Sequence, residues 1–170
     1  TAVGAEALSA NTTGAQNTAV GVSALLDNID GDGNTAVGYL ALANNTGANR
    51  NTAYGYGALF TATTGGSNQA IGHYCLYNLT TGGSNAALGN SAGYSVTTGS
   101  NNAFIGNDAG RAASPSGEVT TGDNNIVLGN NSVANLYCAD TSISSSDARD
   151  KTDVEDFKYG LSWITELRPV

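Results

Sequence analysis

The chain has 170 residues, of which 23 are Gly and only 12% are charged, and its net charge is −8. Lys and Arg together number six and form no basic stripe, which excludes a protein that tracks nucleic-acid phosphates. No apolar run reaches the roughly 18 residues of a membrane helix, so we expect no membrane insertion. Polarity comes from Asn, Thr and Ser, which suits stacked β-structure, where like charges repeated at one position repel.

A glycine recurs every 17 residues from the start of the chain, and fixed self-similarity of this kind decides the architecture. These glycines are Gly4, Gly21, Gly38, Gly55, Gly72, Gly89 and Gly106, with Gly129 after a six-residue insertion.

Four further positions of the repeat keep one kind of residue. The Asn column, four residues before the glycine, is Asn17, Asn34, Asn51, Asn68, Asn85, Asn102 and Asn125. The Ala column, two before it, is Ala2, Ala19, Ala36, Ala53, Ala70 and Ala87, then Phe104 and Val127. The aliphatic column, just before it, is Val3, Val20, Val37, Tyr54, Ile71, Leu88, Ile105 and Leu128. The Leu column, four after it, is Leu8, Leu25, Leu42, Leu59 and Leu76, then Gly93 and Gly110.

The segment Asn-Thr-Ala-Val-Gly has the length and period-two character of a short strand that glycine ends. Seventeen residues are too few for a helical hairpin repeat of about 34. They predict one coil of an all-β parallel β-solenoid over residues 1–134, with two short strands and two turns per coil. Stacked coils make ladders of the aliphatic, Leu and Asn columns, and glycine supplies positive φ at each strand end.

The uniform Ala column lets another backbone approach closely. We interpret it as a packing face between subunits; the alternative is a thin solenoid interior with no room for larger side chains.

Three carboxylates, Asp27, Asp30 and Asp32, gather around glycines, and hard oxygen ligands at such spacing can hold calcium. A plain acidic turn is the alternative, and we expect no metal site and no cofactor. The two cysteines, Cys75 and Cys138, match no metal or redox spacing, and Cys75 replaces Ala in the repeat, which predicts a small buried thiol.

Two features interrupt the regularity. An insertion at residues 111–120 predicts a loop that projects from one side and either contacts a receptor or is a neutral surface insertion. Tyrosines concentrate in the middle repeats at positions 39, 54, 56, 74, 77 and 94, where they either stack on sugar rings or fill the ends of the solenoid or a seam between subunits. The single histidine, His73, occupies a variable surface position.

The repeat Asn-Thr-Ala-Val-Gly-x-x-Ala-Leu resembles the shafts of bacteriophage and large-virus tail fibres. It is similar, more loosely, to the heads of trimeric autotransporter adhesins. The chain starts in the middle of a repeat, and we expect it to be part of something longer.

The last residues carry a more specific pattern: Ser146-Asp147-x-Arg149-x-Lys151, then Tyr159-Gly160-Leu161 and Leu167-Arg168-Pro169-Val170. This pattern resembles the start of the endosialidase-type intramolecular chaperone at the ends of viral fibres. The resemblance implies a homotrimer and self-cleavage between Ser146 and Asp147, with Ser146 as nucleophile, Lys151 as base and Asp147 positioning the site. A nucleophilic serine needs such a neighbouring base. Residues 154–167 also have the apolar face of a short C-terminal α-helical segment.

These patterns together predict a solenoid shaft (1–134), a connector (135–146) and the start of a chaperone-like segment (147–170). The expected function is a structural, trimeric viral tail or surface fibre, located on the virion and extracellular, that attaches to a host glycan or receptor. A bacterial trimeric adhesin head and a glycan-degrading tailspike are the alternatives. Apart from self-cleavage, no catalysis is expected.

Overall fold

A computed structural model describes residues 1–135, and Thr1–Ala134 form one compact unit. The unit is an all-β parallel β-solenoid, as the repeat predicts. Its strands are β1 (Ala2–Val3), β2 (Thr18–Val20), β3 (Thr35–Val37), β4 (Thr52–Tyr54), β5 (Gln69–Ile71), β6 (Ala86–Leu88), β7 (Ala103–Ile105) and β8 (Ile126–Leu128). Within the described residues no helix is long and apolar enough to cross a membrane. The predicted connector beyond Asn135, the chaperone-like segment and its helix lie outside them.

The strands form a single parallel sheet in chain order, β1 to β8. Each residue pairs with the residue one repeat further on, so that Ala19 lies beside Ala36 and Val20 beside Val37. Between β7 and β8 the six inserted residues are absorbed outside the strands, since Phe104 pairs with Val127. The sequence columns are therefore real columns, stacked from coil to coil along the solenoid.

Each described coil contains one strand, so the prediction of two strands per coil is wrong. The rest of the coil turns through residues at positive φ, including most of the Leu column, such as Leu25 (φ 50°) and Leu42 (φ 52°). This left-handed region is uncommon for Leu. Hydrogen bonds between coils hold the leucine backbone in this conformation; for example, the Leu25 N–H donates to the Ala41 carbonyl 3.0 Å away. The turns are not strands, but they stack from coil to coil as regularly as the strands do.

The repeating glycine is required where each strand ends. Gly38 has a φ of +136°, and a Cβ there would lie 2.5 Å from the carbonyl oxygen of Gly55 in the next coil. Glycine therefore permits both the turn and the close approach of two coils. The predicted role of glycine at positive φ is confirmed.

The interior is narrow and lined by small residues. The Ala column from Ala19 to Ala87 is buried, as is the Leu column from Leu25 to Leu76. The interpretation of the Ala column as a face between subunits is therefore wrong, and the alternative of a thin interior is correct. Because strand residues alternate between faces, the neighbouring aliphatic column points outward. Its apolar ladder forms, but on the surface.

The Asn column forms the expected ladder, and Asn17 to Asn102 are buried. From Asn68 to Asn125 the amides bond to one another along the axis, as from Asn85 Nδ2 to Asn68 Oδ1 at 3.0 Å. The column also bonds to the backbone. From Asn17 to Asn102, each Oδ1 accepts the backbone N–H of the Asn one coil further on, as between Asn34 and Asn51 at 2.9 Å. The Nδ2 of each of these residues donates to a backbone carbonyl of the next coil, as from Asn51 to Gly65 at 2.9 Å. Buried polar groups are costly unless they are paired. This column satisfies both its own amides and the backbone around them.

A second, shorter amide ladder ends inside the solenoid. Asn28 donates to Asn11 Oδ1, and Asn45 donates to Asn28 Oδ1, at 2.8 and 2.6 Å. The next coil has Ala62 at this position, so Asn45 Oδ1 is buried without a hydrogen-bond partner in the described part of the chain. In later coils the same position is apolar, as Leu79 and Val96. The interior thus changes from polar to apolar at the fourth coil.

In the last coils the Leu column carries small residues and the Ala column carries a large one, the reverse of the earlier coils. The Leu column becomes Gly93 and Gly110, whereas the Ala column becomes Phe104, which is fully buried. A Cβ at Gly93 would lie 2.9 Å from the Phe104 ring, and one at Gly110 would lie 2.5 Å from it. One aromatic ring therefore fills the space that the two missing leucines leave.

This exchange predicts strong coupling between positions 93 and 104. Phe104→Ala should destabilise the chain by about 3–5 kcal/mol because it leaves a cavity. Gly93→Leu alone should also destabilise it because the new side chain overlaps the ring. The double variant restores the Leu and Ala of earlier coils and should recover at least half of the loss. Urea unfolding of the four proteins tests the cycle, and additive losses would contradict it.

Candidate functional surfaces

The residues that the chaperone resemblance singles out, Ser146, Asp147 and Lys151, lie outside the described residues. The chemistry within the solenoid therefore concerns the acidic turn, the insertion, the aromatic residues, Cys75 and the outward strand face.

The acidic turn does not bring its three carboxylates together as a metal site: the described residues contain no group of three metal-ligating side chains. Asp32 accepts a hydrogen bond from the backbone N–H of Ala15 at 2.6 Å. Asn49 does the same one coil later for the N–H of Asp32, at 2.6 Å. Asp32 is thus one member of a side-chain ladder that satisfies turn amides.

The insertion leaves the solenoid and returns to it within one coil. The Val119 N–H donates to the Gly110 carbonyl at 2.9 Å, which closes the base of the loop. Val119 is buried and continues the interior position of Leu79 and Val96. At the start of the loop, Arg111 pairs with Asp108 at 2.7 Å. Most residues between Gly110 and Val119 are exposed, as predicted for a projecting loop, although Ser114 is buried. The interior columns continue on both sides of the loop.

Most of the tyrosines join one aromatic cluster on the side of the middle coils. The cluster consists of Tyr39, Tyr56, Phe60, His73, Tyr74, Tyr77 and Tyr94. It contains two stacks along the solenoid, one of Tyr39, Tyr56 and His73 and one of Phe60, Tyr77 and Tyr94. Tyr74 packs edge-on against both stacks. The neighbouring Tyr56, with burial, raises the pKa of Tyr74.

The stacking argues against sugar binding by these tyrosines, and their place along the middle coils rules out the ends of the solenoid. Centroids of successive stacked rings lie 5.0–5.4 Å apart, so each ring covers the faces of its neighbours. Arg111 covers the outer end of the second stack, with its guanidinium carbon 4.9 Å from the centroid of Tyr94. A sugar stacks on a free ring face, and most of these faces are occupied. The geometry favours a cluster that stabilises the coils.

Cys75 is buried in the interior, as its place in the repeat predicts. Burial raises the pKa of its thiol to about 12. Because the thiolate is the reactive form, this cysteine is a packing residue and not a nucleophile.

The outward side of the sheet also forms a regular surface, here called the outer face. It comprises the aliphatic column together with Thr1, Thr18, Thr35, Thr52, Gln69, Ala86, Ala103 and Ile126. In the aliphatic column Val20 and Val37 are half-buried, and the other side chains are 40–59% exposed. The sequence could have predicted this face. If the Ala column lies inside, the strand residues directly before and after it must point outward.

Comparisons of the chain with protein-family models, curated proteins and solved structures find no match.

The aromatic cluster predicts unequal effects of two tyrosine truncations. Tyr77 contacts three rings, whereas Tyr39 contacts one. Each aromatic pair adds about 0.5–1.5 kcal/mol. Tyr77→Ala should therefore destabilise the chain by about 2–4 kcal/mol, and the matched control Tyr39→Ala by about 1 kcal/mol. Thermal unfolding followed by circular dichroism measures both, and equal losses would show that stacking contributes nothing.

Proposed function

We propose that the chain is part of the shaft of a trimeric viral tail or surface fibre, extracellular on the virion, that holds host-attachment parts away from the particle. One observation carries this proposal: eight strands stack in one register, and each coil completes the hydrogen bonds of the coil before it. Such an array lengthens by simple addition of coils, which is what a spacer requires.

The surface features support a structural role. The acidic turn, the aromatic cluster and the buried thiol all stabilise coils, through Asp32, Tyr77 and Cys75 respectively. The resemblance of residues 145–170 to the chaperone of viral fibres supports the same function independently of the repeat. It adds assembly as a homotrimer, followed by self-cleavage between Ser146 and Asp147.

The proposed trimer predicts the mass of the folded species. Sedimentation equilibrium of the full chain should give three times the chain mass at high concentration, with dissociation on dilution coupled to loss of structure, because each coil array buries little alone. A well-folded monomer at every concentration would contradict the trimeric shaft.

Self-cleavage predicts a product that begins at Asp147. Mass spectrometry of the product of the full gene should show this fragment in the wild type. It should be absent from Ser146→Ala, which lacks the hydroxyl nucleophile. The neighbouring Ser145→Ala is the matched control and should still be cleaved. An unchanged fragment pattern in Ser146→Ala would remove Ser146 from this role.

A further inference from the structure

The outer face is an ordered surface whose aliphatic column is apolar, and one strand after another contributes to it. Leu88 is 52% exposed, Ile105 49% and Ile126 77%. Strands about 4.8 Å apart make a stripe roughly 34 Å long over eight coils. Contiguous apolar surface of this kind marks a contact site.

Charge separates this face from the rest of the surface. The described residues contain seven acidic and two basic side chains, and none of them lies on the outer face. Two copies of an acidic chain repel each other wherever their carboxylates meet. The outer face is the surface on which they approach without that cost.

The repeat also determines which partner fits. The side chains of the outer face recur once per coil, at a spacing set by the sheet. A second copy has the same spacing, so its ladder stays in register over the full length. On a surface with a different spacing, the side chains match those of only one or two coils before the two sets are out of register.

The composition of the face gives the relative direction of the copies. Early coils present Thr18 and Thr35 beside valines, whereas late coils present Ala86 and Ala103 beside Leu88 and Ile105. Parallel copies at the same level place Thr against Thr and apolar against apolar. Antiparallel copies place the Thr coils against the apolar ones.

We propose that the outer face is the interface between parallel copies of this chain, which meet at the same level coil by coil. This inference rests on the proposed trimeric shaft for the number of copies and names the surface that joins them.

The area of the outer face limits how tightly two copies bind through it. A strip about 34 Å long and about 10 Å wide covers roughly 340 Å². Two copies then bury about 700 Å², which is below the roughly 1,000 Å² of a specific interface. The contact between eight coils is therefore weak for one pair. It strengthens when each copy is held by two neighbours and when more coils are added.

Cross-linking tests the position and direction of the contact. In the full chain with Cys75→Ala and Cys138→Ser, one cysteine is introduced as Val20→Cys, Ile105→Cys or, as the control on another face, Thr98→Cys. A short bifunctional maleimide should join copies through positions 20 or 105 but not through position 98. In a mixture of the first two variants, 20–20 and 105–105 products should form and 20–105 products should not. Cross-linking through position 98 alone, a dominant 20–105 product, or no product at any concentration would overturn the proposal.

A charge substitution provides the second measurement. Leu88→Glu should weaken association about 100-fold, since facing like charges cost several kcal/mol. The coil should keep its circular dichroism spectrum because the side chain points outward. Thr98→Glu is the matched control and should leave association unchanged. If the chain still forms trimers with Leu88→Glu, the interface is wrong while the trimeric shaft stands; if the wild type is a monomer, both fail.

Discussion

The hydrogen bonds of the Asn column are the interaction on which the rest of the structure depends. Asn51 joins its own coil to the next through both ends of one amide, to the Asn68 N–H and the Gly65 carbonyl. These bonds form only if every coil has the same interior path. They therefore hold the 17-residue register, and the register makes all the other columns possible.

Once the register is held, each position of the coil becomes specialised. The interior is so narrow that Ala and Leu fill most of it, and Phe104 fits only where Leu is replaced by Gly93 and Gly110. The turns tolerate leucines at positive φ because neighbouring coils fix their backbones. The six added residues are accepted between Gly110 and Val119, where the chain has left these columns.

Much of this arrangement could be predicted from the sequence, because a repeat displays its columns directly. The glycine turns, the Leu and Asn ladders and the burial of Cys75 are all confirmed. The direction of the strand faces could not be predicted as easily, since Ala and Val are both apolar and alternation alone does not say which is inside. The sequence also shows the replacement of Leu by Gly93 and Gly110 and the replacement of Ala by Phe104, but as two separate irregularities. Only the structure shows that the Phe104 ring fills the space of the missing leucines.

The direction of the hydrogen bonds has a mechanical consequence. Backbone and Asn bonds run between coils, along the solenoid, whereas the covalent chain winds around it. A pull along the axis therefore loads all the bonds between two coils together, and none breaks alone. Peeling from one end loads a single coil at a time. The array resists extension as a whole and yields, when it does, in steps of one 17-residue coil.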